Sequence, residues 1–415
     1  MKVLRIVSRI VVGIVFIYSG FVKGIDLLGS TYKFSDYFDA FGISFLKPGA
    51  LILAYILCTA EIVMGFAMLT RLRMRQFSWL VLIFMAVFTP LTLILAIYNP
   101  VSDCGCFGDA LILTNWETFW KNVIISVFVL FVFFQRKKYS PVYGLATEWG
   151  IIGGMTLVFL LFFHYNLKHL PVIDYRPYKI GTYMPDAMQV PEGAPQDEYE
   201  TTFYYKNKNT GKVKKFSEEN YPWNDTATWE FVNYETKLVK KGVEPPIHDF
   251  DISKQDGEVM TDYILYDKNY SFLVFSHDLD EAELEAFEQI NKYAAFAKED
   301  SLFSFYFVTA STNSAIRRLK REVPVDFEFH LADEITIKTI VRSNPGVMLI
   351  KNGTIIGKWH YNDFPEVDVF NEHYLADLMD QYRAKKANVL SFFYITLLLL
   401  GIFVFRTVIE KICKE

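Results

Sequence analysis

The sequence predicts an α-helical membrane bundle of about six transmembrane helices joined to an α/β soluble domain. The 415 residues are 52% hydrophobic and 17% aromatic, and charged residues are sparse before residue 170 but frequent from 174 to 386. After residue 263, short apolar runs typical of strands alternate with helical patterns. These observations indicate a membrane part followed by a water-facing part. The net charge of −5 gives no reason to expect a nucleic-acid partner.

Six apolar segments are close to the ~20 residues that a helix needs to cross the hydrocarbon core. They are 4–23, 50–70, 77–98, 118–135, 148–166 and 388–406. The first follows basic residues, as a signal peptide would, but no small-x-small cleavage site follows it. We therefore expect a retained helix.

Basic residues predict the orientation of these helices. Three clusters fall on one side of the membrane: Lys2, Arg5 and Arg9; Arg71, Arg73 and Arg75; Arg136, Lys137 and Lys138. Short loops rich in Lys and Arg remain in the cytoplasm. The N-terminus is therefore expected inside, and residues from about 168 to 387 outside.

The first helix is expected to be followed by a loop that extends to about residue 42, and two features of the first helices are polar. Lys23 and Asp26 are expected at the outer membrane boundary, with the Lys23 side chain reaching up to the headgroups. Glu61 lies about 16 Å below the start of its helix, where an ionisable group costs roughly 2.5 kcal/mol or more. It should face the bundle interior, either handling a proton or ligand or forming a buried hydrogen bond. Cys58, one turn earlier, is expected to be a packing residue.

The loop "NPVSDCGCFGDA" (99–110) contains two of the four cysteines, Cys104 and Cys106. A bridge between cysteines two residues apart is strained and easily reduced, and Gly105 relieves crowding of the backbone. Three roles of this loop remain open. The two cysteines exchange thiols and disulfides, they form a structural disulfide, or they are unreactive thiols. A metal site is not expected, because the loop contains no histidine.

Residues 1–138 resemble the DoxX family, most closely its MauE-like branch. The resemblance rests on "SGFVKGIDLLG" in the first helix, on Glu61, and on "DCGCFGD" before the fourth helix. It implies a four-helix membrane module that assists disulfide formation in a periplasmic partner. It also implies Cys104 and Cys106 as reacting residues, Glu61 as a proton-handling group and a quinone as acceptor.

The segment 168–250 is predicted to be irregular and rich in β-structure. "TTFYYKNKNTGKVKKF" (201–216) predicts a hairpin that turns at Asn209-Thr210-Gly211. "EPPIHDFDI" (244–252) predicts an extended linker, because proline fixes φ.

Residues 251–385 are predicted to form an α/β sheet. "YILYD" and "YSFLVFS" indicate strands, 279–300 a helix, 303–310 a strand, "STNSAIRRLKREV" a helix, 327–333 a strand, and 343–361 a hairpin around Asn352-Gly353.

This order, with Pro345 before the hairpin, resembles a thioredoxin-like domain. The resemblance implies that the peptide bond before Pro345 is cis and that Pro345 lies where peptides or partners bind. No cysteine occurs from 107 to 412, so reductase activity is not expected of this domain. His277, where the dithiol would lie, is expected to be a surface histidine.

The whole arrangement is similar to multi-domain inner-membrane proteins of the Bacteroidetes. The leading hypothesis is a membrane redox protein that exchanges thiols through Cys104 and Cys106. The alternative is a non-enzymatic scaffold or maturation factor that docks a periplasmic or membrane protein, and transport is a weaker third. Beyond membrane lipid, such a protein partner is the one expected.

Overall fold

The computed structural model describes residues 2–101, 103–141, 143–190, 193–195, 198–240, 242–384, 386–389, 391 and 395. Two compact units are present. One consists of Met1–Gly181 and Asp251–Glu415, and the other is Thr182–Phe250. The first unit contains both the helical bundle and the α/β sheet domain.

The bundle is built from six helices: α1 Lys2–Ile25, α2 Leu27–Ala40, α3 Ala50–Thr70, α4 Met74–Tyr98, α5 Asn115–Gln135 and α6 Leu145–Lys168. All except α2 are long and apolar enough to span a membrane, so five spans are present among the described residues. They agree with the first five segments predicted. The predicted span 388–406 lies almost entirely outside the described residues.

Helix α2 corrects the expectation of a loop after the first helix. It begins because the Asp26 side chain accepts a hydrogen bond from the Gly29 amide, which satisfies one of the free donors at the helix start. Phe38 and Leu27 are buried on its inner face. The N-cap at Asp26 was the signal in the sequence that could have predicted the helix.

Helices α1 and α3 pack closely because glycines lie where they meet. A Cβ atom on Gly65 would lie 2.7 Å from the Gly13 carbonyl oxygen, and one on Gly20 would lie 2.6 Å from the Cys58 carbonyl oxygen. Small residues allow membrane helices to approach at this distance. Cys58 is fully buried in the hydrophobic core of the bundle, as a packing residue should be.

The basic residues gather at one end of the bundle. Arg9 donates to the Met68 carbonyl oxygen at 2.8 Å, and the Arg5 carbonyl oxygen accepts from the Tyr139 hydroxyl at 3.2 Å. Arg73 lies 3.9 Å from the Glu148 carboxylate. The loop that contains both cysteines is at the other end, between the end of α4 and the start of α5.

The unit Thr182–Phe250 contains helix α7 (Met184–Ala187) and strands β1 (Glu198–Asn207), β2 (Val213–Phe216) and β3 (Trp229–Lys240). The strands form an antiparallel sheet in the order β2-β1-β3. The predicted hairpin is confirmed: Gly211 has φ +70° in the turn, and the Asn207 side chain accepts from the Asn209 and Thr210 amides.

The sheet domain of the first unit has six strands and five helices. They are β4 Ser253–Lys254, α8 Thr261–Leu265, β5 Tyr270–Ser276, α9 Ala286–Glu299, β6 Phe303–Thr309, α10 Asn313–Glu322, β7 Phe329–Leu331, α11 Glu334–Ile340, β8 Gly346–Lys351, β9 Thr354–His360 and α12, which covers 372–384. The strand order is β4-β7-β6-β5-β8-β9. Strands β5, β6 and β7 are parallel, whereas β8 and β9 are antiparallel to their neighbours.

This is a thioredoxin-like α/β domain, as predicted. A parallel β5-α9-β6 unit is followed by the antiparallel β8-β9 hairpin, and the Asn344–Pro345 peptide bond is cis. Two elements correct the expectations. "YILYD", predicted as a strand, lies largely in helix α8, where Ile264 and Leu265 are buried. The predicted helix 279–300 begins later, at Ala286.

Candidate functional site

The two loop cysteines lie side by side as thiols. Their Sγ atoms are 2.9 Å apart. Gly105 has φ +63°, a conformation that side-chain-bearing residues rarely adopt, and it lets the chain turn between them. The Gly105 amide donates to Asp103 Oδ1, and the Gly108 amide donates to the Gly105 carbonyl oxygen. The geometry fits a reversible bridge, and formation of the bridge stays a prediction.

Helices α1 and α2 hold this loop through two hydrogen bonds and an ion pair. Ser19 in α1 donates to the Cys106 carbonyl oxygen at 2.9 Å, and Tyr37 in α2 donates to the Cys104 carbonyl oxygen at 2.6 Å. Lys33 forms an ion pair of 2.7 Å with Asp103. The sequence analysis missed Tyr37 and Lys33 because α2 was predicted as a loop.

Glu61 faces the bundle interior and has a polar partner, as expected. Its Oε1 accepts from Lys23 Nζ at 2.6 Å, and the two side chains are 4% and 9% exposed. The expectation that Lys23 reaches up to the headgroups is therefore wrong. Because both groups are buried, each needs the other as its counterion, since a buried charge without a partner is costly. Among the described residues, Glu61 Oε2 has no hydrogen-bond partner.

A cavity of about 50 Å³ joins this ion pair to one of the two cysteines. Its polar lining consists of Ser19, Lys23, Glu61, Cys106, Lys121 and Asn122. The remaining lining is apolar and includes Phe84, which also lines a larger apolar groove of about 650 Å³ formed by α3, α4 and α6. Cys106 thus borders the cavity, whereas Cys104 is not part of its lining.

The two thiols have different acidities. A hydrogen bond from Cys104 lowers the pKa of Cys106 to about 6, and although burial opposes this, the nearby Lys121 and Lys23 favour the thiolate. The same hydrogen bond, together with burial, raises the pKa of Cys104 above its ordinary value. Cys106 is therefore the more acidic of the two thiols.

The thioredoxin-like domain contacts the bundle beside this loop. Arg342 Nε donates to both carboxylate oxygens of Asp26 at 2.9 Å, and its Nη2 lies 3.4 Å from Asp109 Oδ2. The Tyr32 ring in α2 lies 5.3 Å below the Arg342 guanidinium. Asp26 and Asp109 belong to the membrane module, so this arginine joins two parts of the chain.

His277 is part of this contact and is not a surface histidine, which corrects the expectation. Its ring packs edge-to-face against Tyr32, with the centroids 6.2 Å apart. It is half-buried, and burial lowers its pKa to about 4. No local pattern indicates this contact, because Tyr32 lies 245 positions earlier in the chain.

Pro345 directly precedes β8, and Asn344 before it is fixed to the end of β5 and to the loop that follows. Asn344 Oδ1 accepts from Ser276 Oγ at 2.7 Å, and its Nδ2 donates to the Asp278 carbonyl oxygen at 2.7 Å. The structure thus groups Cys104, Cys106 and Glu61 at one end of the bundle. Pro345 lies three residues after Arg342, which touches that end. Among the described residues, no group of three or more His, Cys, Asp or Glu is placed to hold a metal ion.

The fold and the site define a multi-pass membrane protein with a dithiol loop and a thioredoxin-like domain. Residues 1–135 match the family described as Methylamine utilisation protein MauE, which confirms the MauE-like resemblance of this part of the chain. Residues 199–241, in the unit with strands β1 to β3, match a domain of unknown function, DUF8463. No curated protein matches the chain.

Two solved structures are similar to the thioredoxin-like part. One is a candidate protein disulfide isomerase from Bacteroides thetaiotaomicron, with 18% identity, a TM-score of 0.24, and coverage of 34% of this chain and 86% of that one. The other is a candidate thiol:disulfide interchange protein DsbE from Chlorobium tepidum, with 17% identity, a TM-score of 0.23, and coverage of 33% and 93%.

Proposed function

We propose that this protein is a membrane redox protein that exchanges thiols and disulfides with a protein partner through Cys104 and Cys106. The observation that carries the proposal is their geometry. Two thiols lie 2.9 Å apart, and only Cys106 borders the cavity that contains the Lys23–Glu61 ion pair. The match of residues 1–135 to the MauE family supports a disulfide-related role for this module.

The different acidities of the two thiols suggest a direction for the exchange. A partner thiolate attacks Cys104 Sγ of the oxidised loop, the Cys104–Cys106 bond breaks, and Cys106 leaves as the thiolate, because the more acidic thiol is the better leaving group. A second partner thiol then attacks the mixed disulfide and releases Cys104, which takes up the proton. The partner has lost two electrons and two protons. Cys104 has taken up one proton, Cys106 remains a thiolate, and the other proton has gone to the solvent.

A quinone is the acceptor that the MauE-like resemblance implies for reoxidation of the loop. It would take up two electrons and two protons. Lys23, Lys121 and Asn122 line the cavity and would donate to its carbonyl oxygens. Glu61 Oε2, which has no partner among the described residues, would accept from a hydroxyl of the reduced form. The cavity of about 50 Å³ is smaller than a quinone ring, and Phe84 lines both this cavity and the larger apolar groove.

Mass spectrometry of the alkylated full chain tests the redox pair. Without reductant, the peptide that contains Cys104 and Cys106 should resist alkylation and be lighter by two hydrogens. With reductant, it should take up two alkyl groups. A Cys58→Ser variant is the matched control and should behave identically. A bridge from Cys58 to either loop cysteine, or a metal bound stoichiometrically, would overturn the proposal.

Reoxidation is tested with a short-chain quinone. The reduced full chain should oxidise when the quinone is added, and Cys104→Ser and Cys106→Ser should each abolish bridge formation. Glu61→Gln should slow reoxidation more than it slows reduction of the loop by a small dithiol, if Glu61 handles the protons. Equal rates in Glu61→Gln and the native chain would remove Glu61 from the mechanism.

The second candidate function is a scaffold or maturation factor. The absence of cysteine from 107 to 412 favours it, because the thioredoxin-like domain has no dithiol of its own. Pro345 would then contribute to binding a periplasmic or membrane protein. Pro345→Ala should weaken copurification of that partner more than it lowers the melting temperature, and the Cys104→Ser/Cys106→Ser chain should retain the partner. Loss of the partner in the double serine variant would refute a purely non-enzymatic role.

The cellular setting completes the proposal. We place the protein in a bacterial inner membrane, among lipid, with its basic end in the cytoplasm and the sheet domain in the periplasm. The clusters around Arg5, Arg73 and Arg136 support this orientation, as does a dithiol that would meet an oxidising compartment. Kinship with the wider DoxX family belongs to the same proposal.

A further inference from the structure

We infer that Arg342 of the thioredoxin-like domain is a positioning residue for the dithiol loop of the membrane module. Its side chain is only 8% exposed. It forms a two-point contact with Asp26, lies 3.4 Å from Asp109, and donates to the Lys338 carbonyl oxygen. The inference rests on the proposed function, because a positioning role matters only if the loop thiols react. The contacts of Arg342 themselves do not depend on that proposal.

The guanidinium group suits this place for physical reasons. Its planar fork of donors meets a carboxylate at two points, which a lysine ammonium cannot do. Although burial favours the neutral acid, Arg342 keeps the pKa of Asp26 below its ordinary value, so the pair is ionised. A buried charge pair of this kind has one good arrangement, and it fixes the groups that form it.

The contact reaches the thiols through a short stretch of chain. Asp109 lies three residues after Cys106. Between them, the Phe107 ring packs against Tyr18 with centroids 5.4 Å apart, and Lys121 Nζ lies 4.2 Å from its centre. Gly108 has φ +51° and gives the chain its turn before Asp109. A displacement of Asp109 would therefore be passed to Cys106 by a tightly packed segment.

The loop is held by a cation at each end. Lys33 of the bundle pairs with Asp103 at its start, and Arg342 of the thioredoxin-like domain meets Asp109 at its end. The domain without cysteines thus supplies one of the two charges that hold the cysteines of the membrane module. The thioredoxin-like domain can thus contribute to the thiol chemistry although it has no dithiol of its own.

The test measures how fast Cys106 is alkylated at different pH values in the full chain. We use a Cys58→Ser background and identify the site of first alkylation by fragmentation. The native loop should show a midpoint near the pKa of about 6. Arg342→Gln and Asp109→Asn should each raise that midpoint, because release of the loop moves Cys106 away from Lys121 and Lys23, which favour its thiolate. Loss of the Asp109 carboxylate would by itself lower the midpoint, so a rise in Asp109→Asn can come only from movement of the loop. The double variant should raise the midpoint no further than one of the single variants. Arg342→Lys should restore it only in part.

The matched control is Arg318→Gln. Arg318 forms an exposed ion pair with Asp280 in the same domain, far from the loop in sequence, and its loss should leave the midpoint unchanged. An unchanged midpoint in a folded Arg342→Gln or Asp109→Asn chain overturns the inference. If Arg342→Gln does not fold, Asp109→Asn decides alone, because its carboxylate is 41% exposed and its neutralisation leaves the Asp26 pair intact.

The outcome separates this inference from the proposed function. If the midpoint shifts as expected but the native loop never forms a bridge, Arg342 positions the loop and the redox proposal fails. If the bridge forms and the midpoint does not move, the redox proposal stands and the positioning role fails.

Discussion

The Lys23–Glu61 ion pair is buried between α1 and α3, so each charge depends on the other. Removing one partner leaves an uncompensated buried charge, which costs about 3–5 kcal/mol. We expect Lys23→Met and Glu61→Ala each to lower the free energy of unfolding by that amount. The double variant Lys23→Met/Glu61→Met should cost clearly less than either single change, because no charge remains.

Unfolding of the purified protein in detergent, followed by tryptophan fluorescence, measures this. Asp39→Asn is the control, since the Lys47–Asp39 pair is about half exposed and its loss should have little effect on stability. Additive costs in the Lys23/Glu61 double variant would show that the two side chains act independently.

His277 should make stability depend on pH. Its pKa of about 4 in the folded chain lies below the ordinary value of 6.5. Between these values the unfolded chain binds more protons than the folded chain, so stability is full above pH 6.5 and falls as the pH drops towards 4. The charged groups around it are Lys338, Glu334, Asp278 and Arg342.

His277→Gln should therefore flatten the stability curve between pH 4 and 6.5 by about 1–3 kcal/mol, as measured by thermal unfolding at several pH values. It should not flatten it completely, because burial also lowers the pKa of His360 to about 4. The control His373→Gln, at a side chain 91% exposed, should leave the curve unchanged. An unchanged slope in His277→Gln would refute the buried, neutral state of this ring.

At the scale of the helices, the contact between α1 and α3 depends on glycine. A Cβ on Gly65 would meet backbone atoms, the Gly13 carbonyl oxygen and the Ile17 amide nitrogen, each at 2.7 Å. Backbone atoms cannot move away as a side chain can, so Gly65→Ala should lower the free energy of unfolding by about 1–3 kcal/mol. Gly154→Ala in α6 meets no atom within 4 Å and should be neutral. Equal unfolding midpoints for the two variants would contradict this helix contact.

The elements that the sequence predicted well have a clear hydrophobic pattern. The run 270–276 is apolar except for Ser271 and Ser276 and forms the inner strand β5, since strands covered on both faces have this pattern. Helices α2 and α8 were missed for a physical reason. Thr261–Leu265 has five residues, and so short an apolar run fits a strand as well as a helix. Packing against the rest of the domain decides whether this segment forms a helix or a strand.

The topology of the whole chain can be tested with single cysteines. In a background in which the native cysteines are serine, Asn209→Cys lies in an exposed turn, and Arg75→Cys lies in the first turn of α4, at the basic end of the bundle. Intact spheroplasts should label Asn209→Cys with a membrane-impermeant maleimide and leave Arg75→Cys unlabelled until they are opened. The reverse pattern would invert the proposed orientation.

Much of the site could be predicted from the sequence, but its connections could not. Cys104, Cys106 and Glu61 are marked by residue type and by position in an apolar stretch. Lys23 was also noticed, yet its partner lies 38 residues away, and no local pattern links them. Arg342 was not noticed, because one arginine in a charged domain is unremarkable until the fold brings it to Asp26. Sequence patterns describe neighbours along the chain, and these pairs are neighbours only in space.

The contact between Asp26 and Arg342 spans 316 residues, which has a consequence for biogenesis. A ribosome releases the dithiol loop long before it makes residue 342, and contacts between distant residues form late in folding. While the remaining chain is synthesised and folds, the loop can form its ion pair with Lys33 of the bundle, but its contact with Arg342 is still missing. The loop reaches its final geometry only when the thioredoxin-like domain has folded. A chain truncated before that domain would therefore contain both cysteines without this geometry.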